Sequence, residues 1–367
     1  MLVAIDPRRA ARNHEIKAEG LSVHVTSEDR FGITLLLTTG SEKHLGALRA
    51  VAEQKGCTLD AEGLRRGRKI IACATEEEIY RGLDLPFIAP ELRESGNEVE
   101  LARRGALVEL VTDADIRGVV HVHTERSDGT EPLDVMVQAA RDRGYAYLGL
   151  TDHSQTASYA GGLKVEEVRE QQREVDKLNR RLGASFHVFK GIESDILADG
   201  SLDYPNDVLR SFDLVIASIH SRFRMSEREQ TERILKAIEN PHTSILGHVT
   251  GRQLLRRPGY EVDMEAILKA CAREGVAIEI NANPWRLDMD WRWCGRALEL
   301  GCLFAIDPDA HATDEIDNLR WGVLMARKGA VPADRVITAL GAKDFGRWLA
   351  GRKQRSSPLA TKRRRAA

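Results

Sequence analysis

His121 and His123 stand two residues apart at the end of an apolar run that begins at Val119. On a regular strand, residues two apart point the same way, so this spacing predicts two imidazoles on one side, an arrangement suited to gripping a metal ion. Asp128 follows in a Ser-Asp-Gly turn that can bring its carboxylate back over the strand end. A lone His-x-His pair is a weak signal, because two histidines near a strand terminus need no ligand. The rest of the chain repeats the theme. Strand-like runs end at Asp152 and His153, at Glu193, at His220, at His248, at Glu279 and Asn281, and at Asp307, Asp309 and His311. Six of the eleven histidines fall at such ends, whereas His14, His24, His44, His187 and His242 do not. Histidine and carboxylate donors without thiolates point to catalytic zinc, manganese or iron, since closed structural zinc sites favour cysteine.

These donors need a scaffold that brings strand ends together. From residue 117 the runs end 27 to 41 residues apart, near the ~30 residues of a βαβ unit. Helical segments fill the intervals at 131–143, 165–182, 226–239, 263–274, 290–300 and 313–328, the first with Pro132 in its opening turn and Gly144 beyond its end. The expected fold is α/β, a distorted seven-stranded (β/α)7 barrel of TIM-like form over residues 111–340, with all carboxyl strand ends on one face; an open parallel sheet shares the spacing. Residues 1–110 form a smaller α+β unit, and 341–367 a basic tail. Within the first unit, residues 1 to about 20 read as a frayed leader, and 21–25 and 32–38 as strands. A helix then runs from its cap at Ser41 to a stop at Gly56, residues 58–74 suggest a hairpin, and Thr75 opens another helix.

Composition sets the outer limits. The chain of 367 residues is 30% charged with a formal net charge of -2, so nucleic acid or membrane must be met by local patches and not by a global basic charge. Five scattered cysteines without a Cys-x-x-Cys fit a reducing compartment. No apolar run nears ~20 residues and no signal-peptide pattern opens the sequence, which leads to the expectation of a cytoplasmic protein without a membrane partner.

The motifs also carry a family resemblance. Residues 117 to about 330 resemble the polymerase and histidinol phosphatase (PHP) domain, whose His-x-His with Ser-Asp-Gly, Thr-Asp-His, Gly-x-Glu, Ser-x-His, Gly-His and Asp-Ala-His motifs occur here in order. The stretches at 218–223, 247–252 and 279–284 resemble the version attached to bacterial family X DNA polymerases, with Val249 in place of its usual proline. The resemblance implies a seven-stranded barrel holding up to three divalent ions. It implies as ligands His121, His123, Asp128, His153, Glu193, His220, His248, Asp309 and His311, with Glu193 bridging two ions. Asp152 and Glu279 would serve catalysis by orienting imidazoles. Upstream, Phe31-Gly32, 39–41 and 90–94 resemble the palm end and thumb of the same polymerases. Ser22 stands where such a polymerase has its last palm aspartate, and the sequence lacks the paired palm aspartates and the helix-hairpin-helix, so two-metal nucleotidyl transfer is not expected.

Three divalent ions would exceed the negative charge of Asp128, Glu193 and Asp309, a surplus that hydroxide and phosphate can balance. Arg222 and Arg252 follow two proposed ligands and are expected to clamp substrate phosphate, with surface ion pairing as the competing role. Trp285, Trp291 and Trp293 either stack a nucleobase or pack, and the basic run at 362–365 suits nonspecific DNA contact. The reading is a metal-dependent phosphoesterase at single-stranded or gapped DNA 3′ ends. It is of 3′–5′ exonuclease type with 3′-phosphatase activity, serves DNA repair, and lacks polymerase activity. Mn²⁺ is the expected activating ion and Zn²⁺ or Fe²⁺ the alternatives. A histidinol-phosphatase type of small-molecule phosphomonoesterase and a noncatalytic DNA-binding remnant are the competing functions.

Overall fold

The computed structural model describes residues 14–18 and 21–355, with side chains from 23 to 352. The expectations for residues before 14 and for the basic run at 362–365 lie outside these. Two compact units divide between Val108 and Glu109.

In the first unit, β1 (His14–Ala18) pairs antiparallel with β2 (Leu21–Val25), so strand structure begins within the stretch expected to be frayed. Residues 32–38, expected as a strand, instead belong to helix α1 (Phe31–Thr39). Its buried residues Gly32, Ile33 and Leu36 follow helical spacing, and so short an apolar run does not separate helix from strand by periodicity. Gly32 is demanded by packing, since a Cβ there would lie 2.3 Å from the Thr75 carbonyl carbon. Helix α2 (Glu42–Gln54) starts as expected, with the Ser41 hydroxyl accepting from the His44 N–H at 3.2 Å. A three-stranded antiparallel meander follows, β3 (Thr58–Asp60), β4 (Gly63–Arg66) and β5 (Lys69–Ala72). Helices α3 (Glu76–Gly82), capped by Thr75, and α4 (Asn97–Arg103) complete the unit.

The second unit is a single parallel sheet of seven strands in sequential order. The strands are β6 (Gly118–Val122), β7 (Tyr147–Leu150), β8 (His187–Asp195), β9 (Leu214–Ser218), β10 (Ile245–Leu246), β11 (Ala277–Asn281) and β12 (Phe304–Asp307). The Ala310 N–H donates to the His121 carbonyl at 3.0 Å and the His123 N–H to the Ala310 carbonyl at 2.9 Å, which brings the last strand back to the first. The sheet is therefore a nearly closed barrel. Its outer coat is α5 (Leu133–Asp142), α6 (Val165–Leu182), the short α7 (Asn206–Leu209), α8 (Glu227–Glu239), α9 (Met264–Glu274), α10 (Cys294–Leu300) and α11 (Leu319–Lys328).

Alternation along each strand sorts two cores. Val188, Ile192, Val215, Ala217, Ile278, Ile280, Phe304 and Ile306 face the helices. The other parity, Val120, Tyr147, Phe189, Leu214, Ile216, Ile245, Ala277 and Ala305, fills the barrel. That inner cluster lies at the amino ends of the strands and includes Phe345 and Leu349 from α12 (Ala342–Arg355). The Phe345 ring stacks on Tyr147 at 4.7 Å between centroids. The segment from 341, expected as a basic tail, is thus corrected through 355: it is a helix that closes the bottom of the barrel, because strands that widen around a polar top need apolar filling at the other end. At the narrow bottom, Gly118 is the only residue type that fits, since a Cβ would meet the Tyr147 ring at 2.2 Å.

Candidate metal centre

The inward parity, followed upward, runs straight into polar residues. On β8 it continues from Phe189 through Gly191 to Glu193 and Asp195, on β11 from Ala277 to Glu279 and Asn281, and on β12 from Ala305 to Asp307. On β6 it does not. Val119 faces the helices, so simple alternation would send His121 and His123 outward with it. The chain avoids this with a bulge: Val119 pairs with Leu148 but Val122 pairs with Leu150, one extra residue on β6, and His121 takes a left-handed φ of 57°. The two imidazoles do converge on one side, as their spacing predicts, but they reach the interior only through this irregularity.

All the predicted ligands then meet in overlapping groups. His123, Asp128, His153 and His311 form one; His121, His123 and Asp309 a second; His121, Glu193 and His248 a third; His153, Glu193 and His220 a fourth, each with donor atoms within 4.8 Å of one another. Glu193 is shared. One of its oxygens lies 2.9 Å from His248 Nε2 and 3.2 Å from His121 Nε2, and the other 3.0 Å from His153 Nδ1. His121 Nε2, both nitrogens of His123, His153 Nδ1 and His248 Nδ1 are buried without a hydrogen-bond partner among the described residues. Buried imidazole nitrogens aimed together at shared carboxylates are costly unless something binds them, so the donor set fits divalent cations.

The charges agree. Burial works against the ionised forms of Glu193 and Asp309, yet the surrounding histidines win and hold both carboxyls well below their usual range. Burial, together with the neighbours His311 and His153, pushes His123 down to about 3, so its ring is a neutral donor at any ordinary pH. Burial also opposes charge on His153 and His311, but Glu193 and Asp128 reverse this and raise them to about 10 and about 9.

Supporting contacts separate the two predicted auxiliaries. Glu279 accepts from the His248 backbone N–H and lies within hydrogen-bond reach of His121 Nδ1, a contact that can orient this imidazole. Asp152 makes no such contact among the described residues, which corrects its expected role. Its carboxylate accepts from the Thr124 N–H (2.7 Å), the Thr124 hydroxyl (2.7 Å), the Ser127 hydroxyl (2.6 Å) and the Gln171 amide (2.6 Å). It therefore fastens the loop that carries Asp128. Asp195, which lies 2.6 Å from His220 Nδ1, does for His220 what Asp152 was expected to do.

The two arginines also part company. Arg222 is exposed and has a φ of 55° just beyond His220. Arg252 is engaged: it donates to the carbonyls of Arg286 (3.0 Å) and Leu287 and to Asp290 (2.9 Å), pinning the segment after β11. That segment holds the residue the motifs did not reveal. Arg286 is nearly buried, and its Nε lies 3.1 Å from Asp309 Oδ2. Only its place shortly after the Asn281 strand end hinted at a role. Tyr159, 70% exposed, sets its ring 6.3 Å from that of His153 and 6.5 Å from that of His220, at the mouth of the site.

A barrel with this cluster at its carboxyl strand ends fits a hydrolase that uses divalent metal, and comparison with known proteins narrows the class. Residues 120–283 match the PHP domain and residues 34–94 the DNA polymerase beta thumb. The chain is 38% identical over 327 residues to the DNA polymerase/3′-5′ exonuclease PolX of Bacillus subtilis (strain 168), covering 89% of this chain and 57% of that protein. It thus spans little more than half the length of that relative. A probable phosphatase of Caldanaerobacter subterraneus subsp. tengcongensis is 27% identical over 241 residues, covering 60% of this chain and 87% of its own length. A crystal structure of histidinol phosphate phosphatase from Lactococcus lactis, with zinc, L-histidinol and phosphate, aligns at a TM-score of 0.44 and 18% identity, over 58% of this chain and 94% of that one. Residues 120–283 are thus a PHP domain, in a chain whose residues 34–94 match a polymerase-type thumb.

Proposed function

We propose that the chain is a 3′–5′ exonuclease that removes nucleotides, and terminal phosphates, from single-stranded or gapped DNA 3′ ends in repair, with Mn²⁺ as its activating ion. The observation that carries the hydrolytic part is the set of ligand groups sharing Glu193. Divalent ions bound there would supply Lewis-acid chemistry, activating water as the nucleophile and offsetting charge on the phosphate oxygens and the leaving group. The protein's own part is positional. Glu193 reaches five histidines at once and suits a bridge between two ions, while Asp128, His153 and His311 suit the more open position near solvent. Arg286 places a guanidinium beside Asp309, where it can meet a phosphoryl oxygen, and Arg222 is free to hold a neighbouring phosphate. Arg252 is assigned to holding the Arg286 segment.

The DNA part rests on the thumb match and on the Bacillus relative. Ser22, in place of a palm aspartate, supports hydrolysis without templated synthesis. A labelled primer on a template, given deoxynucleotides and Mn²⁺, should shorten; template-directed lengthening would overturn this. Likeness to phosphatases over most of their length favours a second reading, a small-molecule phosphomonoesterase. A purified sample assayed side by side on single-stranded DNA and on small phosphomonoesters decides between them. No described helix is long and apolar enough to cross a membrane, and the five free cysteines suit the reducing cytoplasm we assign to it.

A further inference from the structure

Beside the ligand cluster lies a cleft of about 740 Å³ between the loop after β9 and the segment 257–260. Arg222, Arg224 and Arg257 line it together with Phe223 and Tyr260, whose rings stack at 18° between planes. Arg257 lies over the Phe223 ring, 4.1 Å from its centroid; its Nη2 donates to the Gly251 carbonyl at 2.8 Å, and its buried Nε has no hydrogen-bond partner. Next along the chain, Arg256 covers one side of Trp285 at 3.8 Å, and that indole is 48% exposed. Many surface arginines elsewhere are matched: Arg126 with Glu174, Arg143 with Asp317, Arg296 with Glu265. Among the described residues, Arg222, Arg224, Arg256 and Arg257 face no carboxylate at ion-pair distance. In a chain whose net charge is -2, four unmatched guanidiniums beside an exposed indole and a half-buried aromatic pair are a local exception.

We infer that this cleft and the Arg256–Trp285 ledge form a subsite for the single strand on the 5′ side of the scissile bond, with phosphates on the arginines and an unpaired base on the indole. The physical grounds are two. Guanidinium forks match phosphate oxygens, and an arginine already stacked on an aromatic ring is held flat without losing its outward N–H groups. Aromatic rings interleaved with positive charge bind successive bases without reading sequence. A small phosphomonoester would leave the subsite untouched, so the subsite selects for polymeric substrate. The inference deepens the exonuclease reading and rests on it for the direction of the strand.

The test uses the intact chain with Mn²⁺ and the variants Arg224→Ala, Trp285→Ala and their combination. A fluorescent oligodeoxythymidylate and p-nitrophenyl phosphate are the two probes. Each stacked base contributes ~1 to 3 kcal/mol, so the double variant should lower the oligonucleotide's kcat/KM roughly tenfold or more relative to that of p-nitrophenyl phosphate. Fluorescence anisotropy should show weaker oligonucleotide binding, and Arg224→Ala should make the slope of log affinity against log salt shallower by about 0.7, the value for one lost contact to single strands. Equal loss on both probes, or unchanged oligonucleotide binding, overturns the subsite. Anisotropy is read without turnover. Wild-type protein that binds the oligonucleotide through these residues but cuts only the monoester would therefore refute the exonuclease reading and keep the subsite.

Discussion

Glu193 and Asp152 are both buried carboxylates at the top of the barrel, yet their surroundings give them opposite work. Glu193 faces imidazoles, whereas Asp152 faces hydroxyls and amides. Removing Glu193 takes a shared anion from two ligand groups, so Glu193→Ala should lose bound metal and drop hydrolysis by more than the ~100-fold that marks the upper range for outer partners of a metal site. His121→Ala removes one imidazole donor and should fall between. Asp152→Asn should cost ~10 to 100-fold, since the amide can keep only some of the four donors and the Asp128 loop loosens. Metal content, circular dichroism and rate on the three proteins check the order. Arg252→Ala belongs to a different class. Its loss should lower stability by roughly 2 kcal/mol through broken charge-assisted bonds, read by thermal melting, and weaken hydrolysis only through the freed Arg286 segment.

At the level of elements, most of the barrel was legible and its decisive irregularity was not. Helix α8 with its Ser226 cap and α6 with its sharp bounds follow directly from apolar period and capping residues, while β8 runs past Glu193 to Asp195 and β9 stops at Ser218, short of His220. The bulge at His121 leaves no such mark, because an extra residue in a buried run keeps the same composition and changes only φ and register. Regular alternation predicted the right outcome for the two histidines by the wrong route. Helix α1 was read as a strand for a related reason: nine residues give too few turns for a period to declare itself. No local motif marks Arg286, because its partner Asp309 comes from the following strand end. Helix α12 reads as a tail because its charge outweighs its few apolar residues, although Phe345 and Leu349 help to fill the barrel floor. Phe345→Ala should destabilise the barrel by about 3 to 5 kcal/mol in denaturant unfolding, while the folded fraction keeps its metal.

On the scale of the whole molecule, the barrel separates stability from chemistry, apolar filling below and ligands above. One consequence is a coupling of protons to metal. After chelation, His153 and His311, raised to about 10 and about 9, are charged at neutral pH. A raised histidine contributes stability that is fully present below its ordinary value near ~6.5, so the chelated protein should lose stability as pH climbs towards those raised values. Metal needs the neutral ring, so uptake at neutral pH should release protons and apparent affinity should rise with pH. Calorimetry in buffers of different ionisation enthalpy reads the released protons directly. Uptake without proton release would show that these two imidazoles do not exchange a proton for metal at neutral pH.

The central claim is metal-dependent hydrolysis of DNA from the 3′ end at the Glu193 cluster. Its most direct test is a 5′-labelled single strand incubated with chelated protein and then with Mn²⁺ restored, for wild type and Glu193→Ala in parallel. The account predicts a ladder of shortening products that appears only with the ion and only in wild type. An intact strand in the presence of Mn²⁺, Zn²⁺ or Fe²⁺, from a protein that still hydrolyses p-nitrophenyl phosphate, would contradict it.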